Sequence, residues 1–250
     1  MLNILFEDKH IIICIKPIGV LSQPGQGEGM DMITLLQEYR KNKKESDYIG
    51  LVHRLDRNVG GVMVFAKSEL ATKKLSVAIM ERNFTKEYMA VIHGRPSEES
   101  GILKDLMFKD SSKNKSFVVN RMRKGVKEAS LEYRTIETIG VAEGEFSLIR
   151  VKLHTGRTHQ IRVQFASRKL PLVGDGKYGG KDNQCDAALW SYRLAFVHPL
   201  TKALVDIKQL PPAQYPFHLF SEELIKEEVK KEVKKEVKKE EVNKDVMLEH

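Results

Sequence analysis

A chain of 250 residues with 41% hydrophobic side chains can bury one sizeable core or two small subdomains. Its formal charge of +8 resides in the body, where the 34 basic and 24 acidic side chains of residues 1–220 give +10, while residues 221–250 hold 8 Lys against 10 acids; such a field favours a polyanionic partner without telling RNA from DNA. Cys14 and Cys185 lie far apart without CxxC spacing, which argues against a disulfide scaffold or a zinc site and leaves reduced, buried thiols.

In chain order, NILFEDKHIIICIKP reads as strand, turn and strand, closed by Pro17 and Gly19. Glu7, Asp8, Lys9 and His10 interrupt any secretory hydrophobic stretch, and no later run is long enough for a membrane span, so a soluble, cytoplasmic protein without a membrane partner is expected. SQPGQGEG, from Ser22, lacks the spacing of nucleotide loops and reads as a mobile or closely approached surface loop. Asp31 caps a predicted helix through MITLLQEYRK, and a charged loop follows from Asn42 to Asp47. GVMVFAKS reads as a strand, with Ser68 capping the helix ELATKKLSVAIMER.

The stretch LVHRLDRNVGG, Leu51 to Gly61, therefore falls in a loop between sheet elements. It sets the carboxylate of Asp56 among His53, Arg54 and Arg57, which taken alone is the pattern of an acidic turn held by its neighbours. TKEYMAVIHG is a predicted strand, the next segment reads as irregular until LEYRTIETIG, and EFSLIRVKL is a clear amphipathic strand. Lys109 to Lys127 holds seven Lys or Arg against Asp110, and reads either as a solvated loop or as a phosphate-contact patch. In GRTHQIRVQ, a helix after Gly156 would present polar donors suited to an anion or a base edge. Beyond Leu219, Val229, Val233 and Val237 stand four apart in a Lys/Glu background, the pattern of a polar helix with a narrow apolar stripe.

Taken together and in order, IIICIKPIGVLSQPG, HRLDRNVGGVMVFAKS, KEYMAVIHG, LHTGRTHQIRVQFA, PLVGDGKYGG and LAFVHP resemble the motifs of the RluA-type RNA pseudouridine synthases, from about residue 4 to residue 200. The resemblance implies a mixed α/β (α+β) catalytic fold on a central, largely antiparallel bent sheet. It also implies isomerisation of chosen uridines in structured ribosomal or transfer RNA. Asp56 matches the catalytic aspartate, Arg54 the arginine that fills the space of the flipped nucleotide, and Tyr88 the tyrosine beside the target base. Arg162 matches the arginine that pairs with the aspartate, a role left open to exchange with Arg157; Arg157 and His159 organise the loop or touch RNA, and Arg57 is a phosphate contact.

The implied chemistry needs no metal or organic cofactor, because one carboxylate can act as nucleophile or base at the ribose. Where the family pattern reads HRLDxxTSG, this chain has Val59 for the hydroxyl residue and Gly60 for the serine, and where it reads LHA, this chain has Trp190 for the histidine. Those changes bear on loop rigidity and on packing or an RNA contact. The expected organisation is a catalytic domain at 1–220 without a preceding S4 domain, a charged helical tail at 221–247, and an expression-tag remnant at 248–250. A monomer with no obligate protein partner is implied.

Overall fold

The computed structural model describes residues 2–25, 29–142, 144–179, 182 and 184–228. One mixed sheet of eleven strands organises them. Its strands are β1 (Asn3–Glu7), β2 (Ile11–Lys16), β3 (Gly50–Leu51), β4 (Gly60–Ala66), β5 (Phe84–His93), β6 (Ser100–Asp110), β7 (Lys115–Val119), β8 (Val126–Val141), β9 (Gly144–Leu153), β10 (Leu189–Val197) and β11 (Leu204–Lys208). The spatial order is β1-β2-β4-β10-β5-β9-β8-β6-β7, with β3 paired to β4 and β11 to β10. All pairings are antiparallel except β4 with β10, in accord with the largely antiparallel sheet expected.

Helices form where the caps predict. Asp31 accepts from the Thr34 backbone at 3.1 Å and opens α1 (Met32–Asn42), and Ser68 accepts from Ala71 at 3.3 Å and opens α2 (Glu69–Met80). Each cap satisfies an N–H that the first helical turn would leave unpaired. The short α3 (Gln160–Ala166) follows His159, whose backbone is left-handed. Both faces of the sheet are covered at β4, which explains why it reads as the unbroken apolar run GGVMVFA. Val62, Val64 and Ala66 pack with α2 and with residues 205–225 on one side; Met63 and Phe65 pack with α1 and α3 on the other.

Four expectations change. The stretch after Gly94 is not irregular: it forms β6, β7 and the start of β8. Its alternation is concealed because Leu103 and Met107 are the only buried β6 residues, Ile102 is exposed, and Lys104, Asp105, Lys109 and Asp110 interrupt the apolar ones. The surface loop expected from Ser22 begins with a buried residue, and Cys185 is half-exposed while Cys14 is buried. Packing also continues past residue 220: residues 222–228 are helical, Ile225 joins the core, and Glu228 meets Arg150 at 3.2 Å and Arg134 at 3.7 Å. The valine stripe and residues 248–250 lie outside the described residues.

Two of the three family departures turn out to be neighbours. Gly60 pairs with Trp190 across β4 and β10, and a Cβ at Gly60 would lie 2.5 Å from the indole ring. Trp190 is itself a core residue, its indole N–H donating to the Gln209 carbonyl at 2.8 Å. A large ring at one position thus requires the missing side chain at the other. Gly60→Ser alone is expected to destabilise by about 1–3 kcal/mol through overpacking. Chemical denaturation of Gly60→Ser, Trp190→His and the double variant checks this, the double change costing less than the sum of the singles.

Candidate active site

The loop between β3 and β4 carries Asp56, and backbone acceptors buried beneath it hold it in place. Lys16, the last residue of β2 and fully buried, donates from Nζ to the carbonyls of Val20 (2.6 Å), Pro17 (2.8 Å) and Arg57 (3.1 Å). Burial pulls its pKa down to about 8, against the opposing pull of the Asp56 charge. Ser22 donates to the Leu55 carbonyl at 2.8 Å and accepts from the Leu55 N–H at 3.0 Å. The Val59 N–H closes a turn on the Asp56 carbonyl at 3.0 Å. His53 is part of this frame: it accepts from the Val64 N–H at 3.2 Å, and burial, with Lys86 adding to it, lowers its pKa to about 3, so it stays neutral.

Across the loop stands α3. Arg162 donates from Nη1 to Asp56 Oδ2 at 2.6 Å, and its Nε and Nη2 grip Asp175 at 2.7 and 2.8 Å. Asp175 is 1% exposed and the Arg162 side chain 8%, so the fork is desolvated and its geometry fixed. Burial alone would lower the Arg162 pKa, but the hydrogen bond and charge of Asp175, joined by Asp56, raise it. Arg157 turns away, donating from Nε to the Glu128 carbonyl at 2.9 Å, so of the two arginines left open by the sequence only Arg162 touches Asp56. His159 Nε2 lies 3.7 Å from Asp56 Oδ2.

Tyr88 enters from β5, on the sheet face that packs against α1 and α3. Its hydroxyl stays protonated at neutral pH, because burial first and the Asp56 charge second push its pKa up. Asp56, Tyr88 and Arg162 line one cleft of about 850 Å³, together with Arg54, Arg57, Arg157 and His159. All seven sequence-predicted site residues therefore converge. Arg54, Arg57 and Arg157 are cations at this cleft, joined by Lys86, Lys109 and Lys177, while Asp56 is the sole acid among the described lining residues. Of the basic stretch at 109–127, Lys109 reaches this lining. No cluster of three or more His, Cys, Asp or Glu able to hold a metal occurs among the described residues.

Sequence reasoning missed Lys16, Ser22, Asp175 and Tyr178. Asp175 and Tyr178 stand in PLVGDGKYGG, where the buried Asp175 is the only acid, and Lys16 ends an apolar strand. Those placements were the available signals. Partners made of backbone carbonyls, as for Lys16, leave no mark in a sequence.

A family model described as RNA pseudouridylate synthase matches residues 10–167. An uncharacterized RNA pseudouridine synthase of Aquifex aeolicus is 35% identical over 214 residues, 79% of this chain and 66% of the relative. A ribosomal large subunit pseudouridine synthase D of Vibrio parahaemolyticus is 34% identical over 220 residues, 80% of this chain and 64% of the relative. The chain thus spans about two thirds of the length of these curated relatives. The solved structure of human RNA pseudouridylate synthase domain containing 1 has a TM-score of 0.70 at 22% identity, over 85% of this chain and 84% of that one, which establishes the common fold. With more than half of its length matched and its fold shared, the chain belongs to the RNA pseudouridylate synthase family.

Proposed function

We propose that this chain isomerises selected uridines in structured RNA to pseudouridine, with Asp56 as the reactive group. The observation that carries the reading is the Asp56 carboxylate, held at Oδ2 by Arg162 (2.6 Å) in a cleft whose other charged lining residues are all cations. An RNA backbone is drawn to such a cleft, and a uridine must leave its stack to reach it, at a cost of a few kcal/mol. Exposed Arg54 stands at the rim, where a guanidinium can occupy the vacated stack, and exposed Arg57 and half-buried Arg157 line the cleft for phosphate contact. Tyr88 supplies an aromatic wall to the extruded base.

The reaction breaks the bond from ribose C1′ to uracil N1 and forms one from C1′ to C5. The C5 proton leaves and N1 gains one, so the atoms balance without an oxidant or a second substrate. Asp56 acts at the ribose, as nucleophile at C1′ or as base, and Arg162 keeps it aimed. In this reading the chain works as a monomer in the cytoplasm, without a metal or organic cofactor. The name of the Vibrio relative supports ribosomal over transfer RNA as the substrate.

Purified protein incubated in EDTA with RNA from cells lacking the gene is expected to create pseudouridine at one or a few positions, read by site-resolved mapping. RNA retained with no uridine converted would instead make this an RNA-binding or ribosome-assembly protein on the same fold. Free uracil would make it an N-glycosylase.

A further inference from the structure

We infer that Tyr178 is a positioning residue, fixing the tautomer of His159 so that its Nε2–H points at Asp56. The inference rests on Asp56 being the reactive group. Tyr178 lies in the turn after Asp175, its N–H bonded to the Asp175 carbonyl at 3.1 Å, and its ring packs with Met107, Ala129 and Val163. Its hydroxyl has two neighbours: the backbone N–H of Ser116 on β7 at 2.9 Å and His159 Nδ1 at 2.7 Å.

The direction of the chain follows from what each group can do. A backbone N–H only donates, so the Tyr178 oxygen accepts from Ser116. The single hydroxyl proton then goes to His159 Nδ1, which must be unprotonated to accept it. Burial lowers the His159 pKa against the opposing charge of Asp56 and keeps the imidazole neutral, so its one proton sits on Nε2. That nitrogen is the one 3.7 Å from Asp56 Oδ2. The opposite tautomer would turn a nitrogen lone pair toward the carboxylate and leave the phenolic proton without its histidine acceptor, and both effects disfavour it.

Tyr178 also meets the other partner of Asp56, since the Arg162 guanidinium lies 5.2 Å over its ring. One side chain thus steadies both groups that face Oδ2. Arg162 and His159 both address Oδ2, and Oδ1 has no hydrogen-bond partner among the described residues. With Oδ2 held, the carboxylate cannot rotate freely, and Oδ1 remains for the reaction. The Ser116 N–H comes from the β6–β7 hairpin, so the seating of that hairpin is coupled through Tyr178 and His159 to the carboxylate.

The test uses the full chain labelled with ¹⁵N-histidine, the His159 signals identified by their loss in His159→Gln. The wild type is expected to show the Nε2–H tautomer at neutral pH, and Tyr178→Phe a mixture of tautomers. In the same variant kcat for RNA should fall about ten-fold, the loss of one hydrogen bond in a charged network, with KM changed less than about two-fold. In the His159→Gln background, Tyr178→Phe should add no further loss. A wild-type His159 protonated on Nδ1 would overturn the inference, and this reading stands even if Tyr178→Phe does not fold. An unchanged kcat and tautomer in Tyr178→Phe would overturn it, as would an equal loss in both backgrounds, which would mark a merely structural tyrosine. If the wild type makes no pseudouridine, the functional reading fails while the tautomer measurement still decides the placement of the proton.

Discussion

Asp56→Asn is expected to yield a protein that folds and binds RNA like the wild type but converts uridine at less than about one thousandth of its rate, the scale of losing a group that acts directly on the reacting atoms. The substitution is nearly isosteric at a side chain 29% exposed, so little packing is at stake. The asparagine oxygen can still accept from Arg162, which keeps its two bonds to Asp175. Lys16 and Ser22 hold the loop through backbone carbonyls and an N–H that the substitution does not touch. What disappears is the negative charge and the nucleophilic or basic oxygen. Single-turnover conversion measured beside gel-shift affinity separates these effects. Conversion within about ten-fold of wild type would remove Asp56 from the chemistry.

The second large effect lies at Asp175. Asp175→Ala strips the buried Arg162 of two hydrogen bonds and is expected to cost about 3–5 kcal/mol, because a desolvated cation is left under-compensated. Arg162→Met leaves the complementary defect, a carboxylate 1% exposed without its cation, and is expected to cost a similar amount. Replacing both, with Arg162→Met and Asp175→Leu together, should recover most of that stability, since an apolar pair of similar volume avoids the desolvation cost. Conversion should stay lost in the double variant, because the 2.6 Å bond by which Arg162 aims Asp56 is gone. Urea denaturation and conversion assays on the three proteins decide the point. A double variant that regains activity would show that Arg162 serves only the fold.

The parts of this architecture legible in the sequence are those with a local cause. The first hairpin, α1 and α2 with their Asp31 and Ser68 caps, and strands β5 and β9 announce themselves by apolar periodicity and capping chemistry. β6 and β7 do not, because exposed Lys104 and Lys109 break the apolar pattern of β6, and in β7 the buried residue is Ser116 while Phe117 is exposed. At the site, the family motifs located Asp56, Tyr88 and Arg162, and the structure brings all three to one cleft. Asp175 escaped because its role depends on a partner thirteen residues earlier on another element. Gly60 and Trp190 were read as separate departures, and only the parallel pairing of β4 with β10 makes them a single accommodation.

That same pairing governs when the protein becomes whole. Among the described residues, β10 alone bridges β4 to β5 in the sheet, yet it follows both in the chain by more than ninety residues. As synthesis proceeds from the N-terminus, β1 to β4 can assemble by themselves, and β5 to β9 can do so later. The two leaves have no hydrogen-bonded seam until Leu189–Val197 slides between them. Asp56 belongs to the first leaf, whereas Tyr88 lies on the second and Arg162 follows it. Insertion of a central strand over so long a separation is a non-local, slow step. The reactive carboxylate and its arginine are thus made long before they are joined, and competence arrives with the last strand that enters the middle of the sheet.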